Sequence, residues 1–132
     1  MSSSELLPQL SQPKAGERPV HHFPLFRLFV KNGEYVYARP EDILLIESAD
    51  HLVRIYFQID GKVRKAVRAN TLKHFLEQLN NVTFLRLGRF CAINTSRISG
   101  GNFNEQCFEF DFKVSIRLAH ALPLNVFSSI GK

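Results

Sequence analysis

The sequence predicts a mainly β fold with one packed helix, and three observations carry that prediction. Apolar residues alternate with polar ones in short runs; the clearest is Phe108, Phe110, Phe112, Val114 and Ile116 interleaved with Glu109, Asp111, Lys113, Ser115 and Arg117. Turn dipeptides, Asn32-Gly33 and Asp60-Gly61, separate pairs of such runs. The aromatic set is twelve Phe and three Tyr without Trp, and flat rings pack well on a pleated surface. With 132 residues, 45% hydrophobic and 22% charged, the chain has the length and composition of one globular domain, in which two independent cores would be crowded.

Residues 1–23 read as a flexible or disordered tail and residues 24–132 as the domain. The tail opens Ser2-Ser3-Ser4, carries Pro8, Pro13 and Pro19, and shows no periodicity. Its His21-His22 pair has no Cys or carboxylate at ligand spacing, so a linker is the better reading than a metal site. Leu25 to Lys31 and Glu34 to Ala38 flank Asn32-Gly33 as a first hairpin, since Asn-Gly supplies the two positive φ angles of a type I′ turn. A turn at Pro40-Glu41-Asp42 leads into Ile43 to Ser48, apolar enough for a buried strand.

Leu52 to Ile59 and Lys62 to Ala69 form a second hairpin around Asp60-Gly61. In its second arm Lys62, Arg64 and Arg68 share one face, expected to be solvated, and Val63 and Val67 the other, expected to be buried. Asn70 is the expected N-cap of the one convincing helix, where Leu72, Phe75, Leu76 and Leu79 recur along one face until Asn80-Asn81 ends it. Phe84 to Leu87 and Cys91 to Asn94 are short strands around a bend at Gly88-Arg89-Phe90. Gly100-Gly101-Asn102 reads as a loop. The alternating run after it is one long strand or two strands reversing near Asp111, and Leu118 to Lys132 is weakly helical around Pro123.

No catalytic constellation is present, and no enzyme activity is expected. Gly100-Gly101 has no Lys-Ser/Thr pair behind it, Ser99 and Ser115 lack a nucleophile-elbow context, and the five His show no metal-ligand spacing. No cofactor and no metal are called for. Cys91 and Cys107 are too few for a disulfide framework and read as reduced thiols of a cytoplasmic protein, with Cys91 a small buried residue rather than a reactive one. No apolar run approaches the roughly 20 residues that span a bilayer.

The formal charge of +5 belongs wholly to the body, because Lys14 and Arg18 cancel Glu5 and Glu17 in the tail. Between Arg54 and Lys73 six bases face one acid, and between Phe84 and Ser99 stand Arg86, Arg89 and Arg97 with no acid. Arg suits bidentate contact with phosphate and guanine, and a bend lets it leave the body and enter a groove. Charge alone does not separate nucleic-acid binding from an ordinary basic surface. No helix-turn-helix, zinc-finger or RNP-type pattern is present, so any DNA would be read by loops and strand ends.

Four pieces in order resemble the LytTR family of bacterial DNA-binding domains. They are Pro40 to Ile55 with Ile43, Ile46, Glu47 and Ala49; the helix from Thr71-Leu72; Phe84 to Ile98 with Arg86, Arg89 and Asn94; and the closing Val114-Ser115-Ile116-Arg117. The similarity spans about Leu25 to Val126. It implies an elongated fold of small antiparallel sheets with one packed helix, and loops that enter successive major grooves of double-stranded DNA. It also implies a transcriptional regulator acting as a response-regulator effector domain.

Carried over residue by residue, the resemblance places Asp50, His51 and Arg54 in a first reading loop, Gly88, Arg89 and Phe90 in a second, with Arg89 at a base edge, and Arg117 at a third contact. Arg86 falls equally to phosphate contact or structural pairing; Asn94 and Glu47 fall to structural bonding. Lys62, Arg64 and Arg68 are candidates for phosphate contact. Where the family has a Gly turn before its closing strand, Asp111-Phe112 must turn the chain here. Relatives are usually joined to a receiver domain or membrane helices, for which this chain has no room, so it is expected to act alone, with a second protomer on paired sites or an upstream signalling protein as partner. The alternative reading is a protein–protein interaction module of signalling that uses exposed strand edges without touching DNA.

Overall fold

A computed structural model of the chain describes residues 25–80 and 83–131. The tail with its His pair, Asn81 and Lys132 lie outside the described residues. The described residues form ten strands: β1 (Phe26–Lys31), β2 (Glu34–Ala38), β3 (Ile43–Ala49), β4 (Leu52–Ile59), β5 (Lys62–Arg68), β6 (Phe84–Leu87), β7 (Cys91–Asn94), β8 (Ile98–Asn102), β9 (Cys107–Phe110) and β10 (Val114–Arg117). Helix α1 (Leu72–Leu79) follows β5, and a single turn, α2 (Leu124–Phe127), follows Pro123. Seven strands join in one antiparallel sheet ordered β2-β1-β5-β4-β3-β7-β6, and β10-β9-β8 make a second.

Turn chemistry fixes the hairpins. Asn32 and Gly33 take φ 51 and 78, and Asp60 and Gly61 take 55 and 77, the paired positive angles that match hairpin twist. The run after β8 reverses at Asp111-Phe112, where both non-glycine residues adopt positive φ, 54 and 59, and the Phe112 ring is 82% exposed.

The two faces of the large sheet carry two apolar clusters that share β3, β4 and β7. Ile43, Ile46, Val53, Ile55 and Phe57 pack under Leu72, Phe75 and Leu79 of α1. Leu44, Leu45, Leu87 and Ile93 pack on the other face against Phe108, Phe110 and Ile116 of the small sheet and Phe127 of α2. A register shift between Ile43 and Leu45 turns the consecutive Leu44 and Leu45 to the same side, so β3 is buried on both faces. Apolar burial contributes roughly 1.5–3 kcal/mol per large side chain, so this shared wall holds helix and small sheet to one body.

Four local expectations are corrected. On β5 the burial is reversed: Ala66, on the face of Lys62, Arg64 and Arg68, is buried in the α1 cluster, whereas Val63 and Val67 are each 38% exposed. Small Ala66 lets α1 approach, Arg68 lays its guanidinium over the rings of Phe26 and Phe75 at 5.2 and 5.8 Å, and the small sheet covers β3 and β7 but no β5 residue. The N-cap of α1 is Thr71, whose Oγ1 accepts from the His74 N–H at 3.1 Å; Asn70 instead accepts from Arg68 Nε at 2.6 Å.

Gly100 and Gly101 belong to strand β8 rather than a loop. A Cβ on Gly101 would sit 3.2 Å from both Phe108 and Phe127, so the bare backbone is what lets those rings close over it. Arg97 does not leave the body: its guanidinium grips the Asp111 carboxylate, the Glu41 carbonyl at 2.6 Å and the Gln58 side chain at 2.7 Å. Its charge is spent inside the fold.

Candidate nucleic-acid interface

Two strand-connecting turns and a third segment meet at one end of the large sheet. The first is the β3–β4 turn, where Ala49 pairs with Leu52 and Asp50 takes φ 56, leaving Asp50 and His51 exposed at the tip. The second is the β6–β7 turn, Gly88-Arg89-Phe90, between paired Leu87 and Cys91. Gly88 supplies φ +66 there. The third is the segment Leu118-Ala119-His120 that leaves β10 after Arg117.

Specific bonds draw these segments together. The Ser48 N–H donates to the Phe90 carbonyl at 2.7 Å, tying the second turn to the end of β3. The Ala119 N–H donates to Glu47 Oε2 at 2.7 Å, tying the third segment to the same strand. The Phe90 and His120 rings stack with centroids 4.5 Å apart, closing the second onto the third. Gln106 braces the third from behind: its carbonyl accepts from Leu118 N–H at 2.8 Å and its side chain from Leu122 N–H at 2.7 Å.

Glu47 is the polar centre of this end. It is 1% exposed, lies opposite Arg54 on β4 and Cys91 on β7, and pairs with the Arg54 guanidinium at 3.6 Å. Burial pushes the Cys91 thiol up to about 12, with the Glu47 carboxylate adding to the shift, so at neutral pH the sulfur is an inert thiol. The same two causes raise Tyr56, against a smaller lowering by Arg54. Asn94, fully buried, donates to the Ile43 carbonyl at 3.0 Å and accepts from Ser96, a structural role.

The sequence-derived site residues therefore divide. His51, Gly88 and Arg89 are exposed on the first two turns and Arg117 at the end of β10 where the third segment begins, with Arg89 lying over the Phe90 ring at 5.6 Å. Arg86, also exposed, donates to the Arg89 carbonyl at 3.1 Å and so shapes the second turn. Arg54 is held by Glu47. Lys62 and Arg64 lie toward the Asp60-Gly61 hairpin, separated from His51 by the length of β4, roughly 25 Å. Arg64 is bonded there to Glu34 at 3.0 Å. Arg68, paired with Val53, is at the converging end. His120 and Gln106 escaped the sequence reading because the contacts they make at this end, His120 with Phe90 and Gln106 with Leu118 and Leu122, run across 12 residues or more, which no local pattern encodes.

Among the described residues no helix is long and apolar enough to cross a membrane. A family model, the LytTr DNA-binding domain, matches residues 33–119 of the chain. No curated protein matches it.

Proposed function

The chain belongs to the LytTR family of DNA-binding domains, and from that premise we propose that it reads double-stranded DNA sequence-specifically with the three converging segments, as a transcriptional regulator in the cytoplasm. Residues 24–132 form the binding unit, and residues 1–23 are a tail outside it. Arg89 reaches base edges, His51 and Arg117 contact the grooves on either side, and Arg86 sets the backbone of the second turn. Glu47 holds Arg54, which orients the first turn from beneath. The observation that carries the reading is the convergence itself: a β3 end bonded to both the second and third segments presents exposed His51, Arg89 and Arg117 together. A second protomer on a paired site would double the contact.

Selection of bound duplexes from a random pool supplies the site. On that site Arg89→Ala abolishes selectivity while leaving binding to random duplex nearly unchanged, because base contacts specify and phosphate contacts position. Six neutralised phosphates give a slope of log K against log salt near −5 (about −0.9 per phosphate). Equal losses for Arg89→Ala on selected and random duplex would remove Arg89 from the base-reading role.

A second reading, a protein-interaction module, is favoured by the uncovered rings of Phe29, Tyr35 and Tyr37 on β1 and the edge strand β2, which are 46–52% exposed. A duplex titration separates the two, since this module would give no shift at micromolar protein.

A further inference from the structure

We propose that the cleft between β1 and β5 is a binding site for a small organic phosphate or carboxylate with a flat apolar body. The two strands share a single residue pair, Phe29 and Val67, and both of these line the cleft. The opening is a cleft of about 450 Å³, within the range of small-molecule sites. Phe29, Leu52 and Val67 supply apolar wall, and Arg27, Arg68 and Asn70 supply polar groups. None of the described residues lining it is acidic.

Both arginines line the cleft, Arg68 from the α1 face and Arg27 from the opposite face of β1, and neither meets a counter-charge among the described residues. Every ion pair among the described residues involves Arg54, Arg64 or Arg97, never Arg27 or Arg68. Arg68 is fixed by Asn70 Oδ1 at 2.6 Å and by the Arg27 carbonyl at 3.3 Å, with its flat face over Phe26 and Phe75. Arg27 lies over Phe29 and Tyr35 at 5.6 Å from each. Burial, and secondarily the neighbouring Arg27 charge, make protonated Arg68 less favourable than usual. An oxyanion in the cleft that both line supplies the missing counter-charge through charge-assisted bonds.

The apolar wall decides the kind of anion. A sugar–phosphate strand is polar and would leave Phe29, Leu52 and Val67 uncovered, whereas an aryl or similarly flat body covers them. Leu52 is the chain neighbour of His51, so an occupant touches the strand that carries the first loop. The proposal does not depend on the DNA reading, because its first test contains no DNA.

Phenyl phosphate is titrated into the full chain, with inorganic phosphate beside it, and amide shifts and calorimetry are recorded. Phenyl phosphate is expected to saturate, to bind at least about tenfold more tightly than inorganic phosphate, and to shift the amides of Phe29, Leu52 and Val67. Arg68→Gln and Arg27→Gln are each expected to weaken it about tenfold or more, while Lys113→Gln on the far hairpin leaves it unchanged. Arg27 is exposed, so its variant stands if Arg68→Gln fails to fold. Equal binding of both phosphates, or binding indifferent to Arg27→Gln, means a loose anion surface only and overturns the site. In a second arm without ligand, Arg27→Gln leaves the salt slope for duplex unchanged; a slope smaller by about one would assign Arg27 to a DNA phosphate and overturn it equally.

Discussion

Removing the Glu47 side chain tests whether one buried carboxylate holds the third segment to β3. In Glu47→Ala the Ala119 N–H loses its acceptor at 2.7 Å, and Arg54 loses its partner at 3.6 Å. A hydrogen bond to a charged group contributes about 1.5–3 kcal/mol, and the cavity left at a site 1% exposed adds about 1 kcal/mol. The Arg54 side chain keeps 31% exposure and regains water, so the ion pair itself adds less than about 1 kcal/mol. The sum is about 3 kcal/mol, or roughly 10 °C in Tm for a domain of this size.

Glu47→Gln separates charge from bonding. The second oxygen, Oε1, has no hydrogen-bond partner, so the buried charge is incompletely compensated and its loss costs within about 1 kcal/mol. An amide oxygen still accepts from Ala119. Urea unfolding followed by circular dichroism gives both stabilities, and a duplex titration gives both affinities. Glu47→Ala should lose affinity because the third segment is released, while Glu47→Gln should keep most of it. Two variants within about 0.5 kcal/mol of each other would refute the claim that the acceptor, rather than the occupied volume, matters.

The Asp111 carboxyl lies below the usual carboxylate range because Arg97 hydrogen-bonds it, so its stabilisation is present above the unfolded-state pKa near 4 and is lost as pH falls through the lower folded value. Asp111→Asn should therefore flatten the acid limb of a pH–stability curve, and an unchanged limb would assign acid sensitivity elsewhere. Phe112→Gly should raise stability by about 1 kcal/mol in thermal melts, because φ 59 suits Gly and the exposed ring has little packing to lose. Cys91 should resist a thiol reagent in the native protein at pH 8 and react on unfolding, with Cys107→Ser used to isolate it; fast native labelling would contradict its burial.

The strand pattern, both type I′ hairpins, the α1 face and the buried β3 were legible because each is written in residues close along the chain. The face of β5 was not, since period two gives two faces and a helix beginning four residues later chooses between them. Thr71 and Asn70 are both good caps, and Arg68 decides by taking Asn70 for itself. Charge was the most misleading local signal. Arg97 sits in an acid-free stretch of sequence yet meets Asp111, 14 residues on, at the reversal that Asp111 and Phe112 make with positive φ. Arg54 looks like a groove contact and faces a buried carboxylate on the neighbouring strand. The exposed basic end thus emerges by subtraction: folding neutralises the arginines that meet acids across strands, and Arg89 and Arg117 keep their charge because no described acid reaches them. A basic stretch in such a sheet protein points to nucleic acid only once its long-range partners are known.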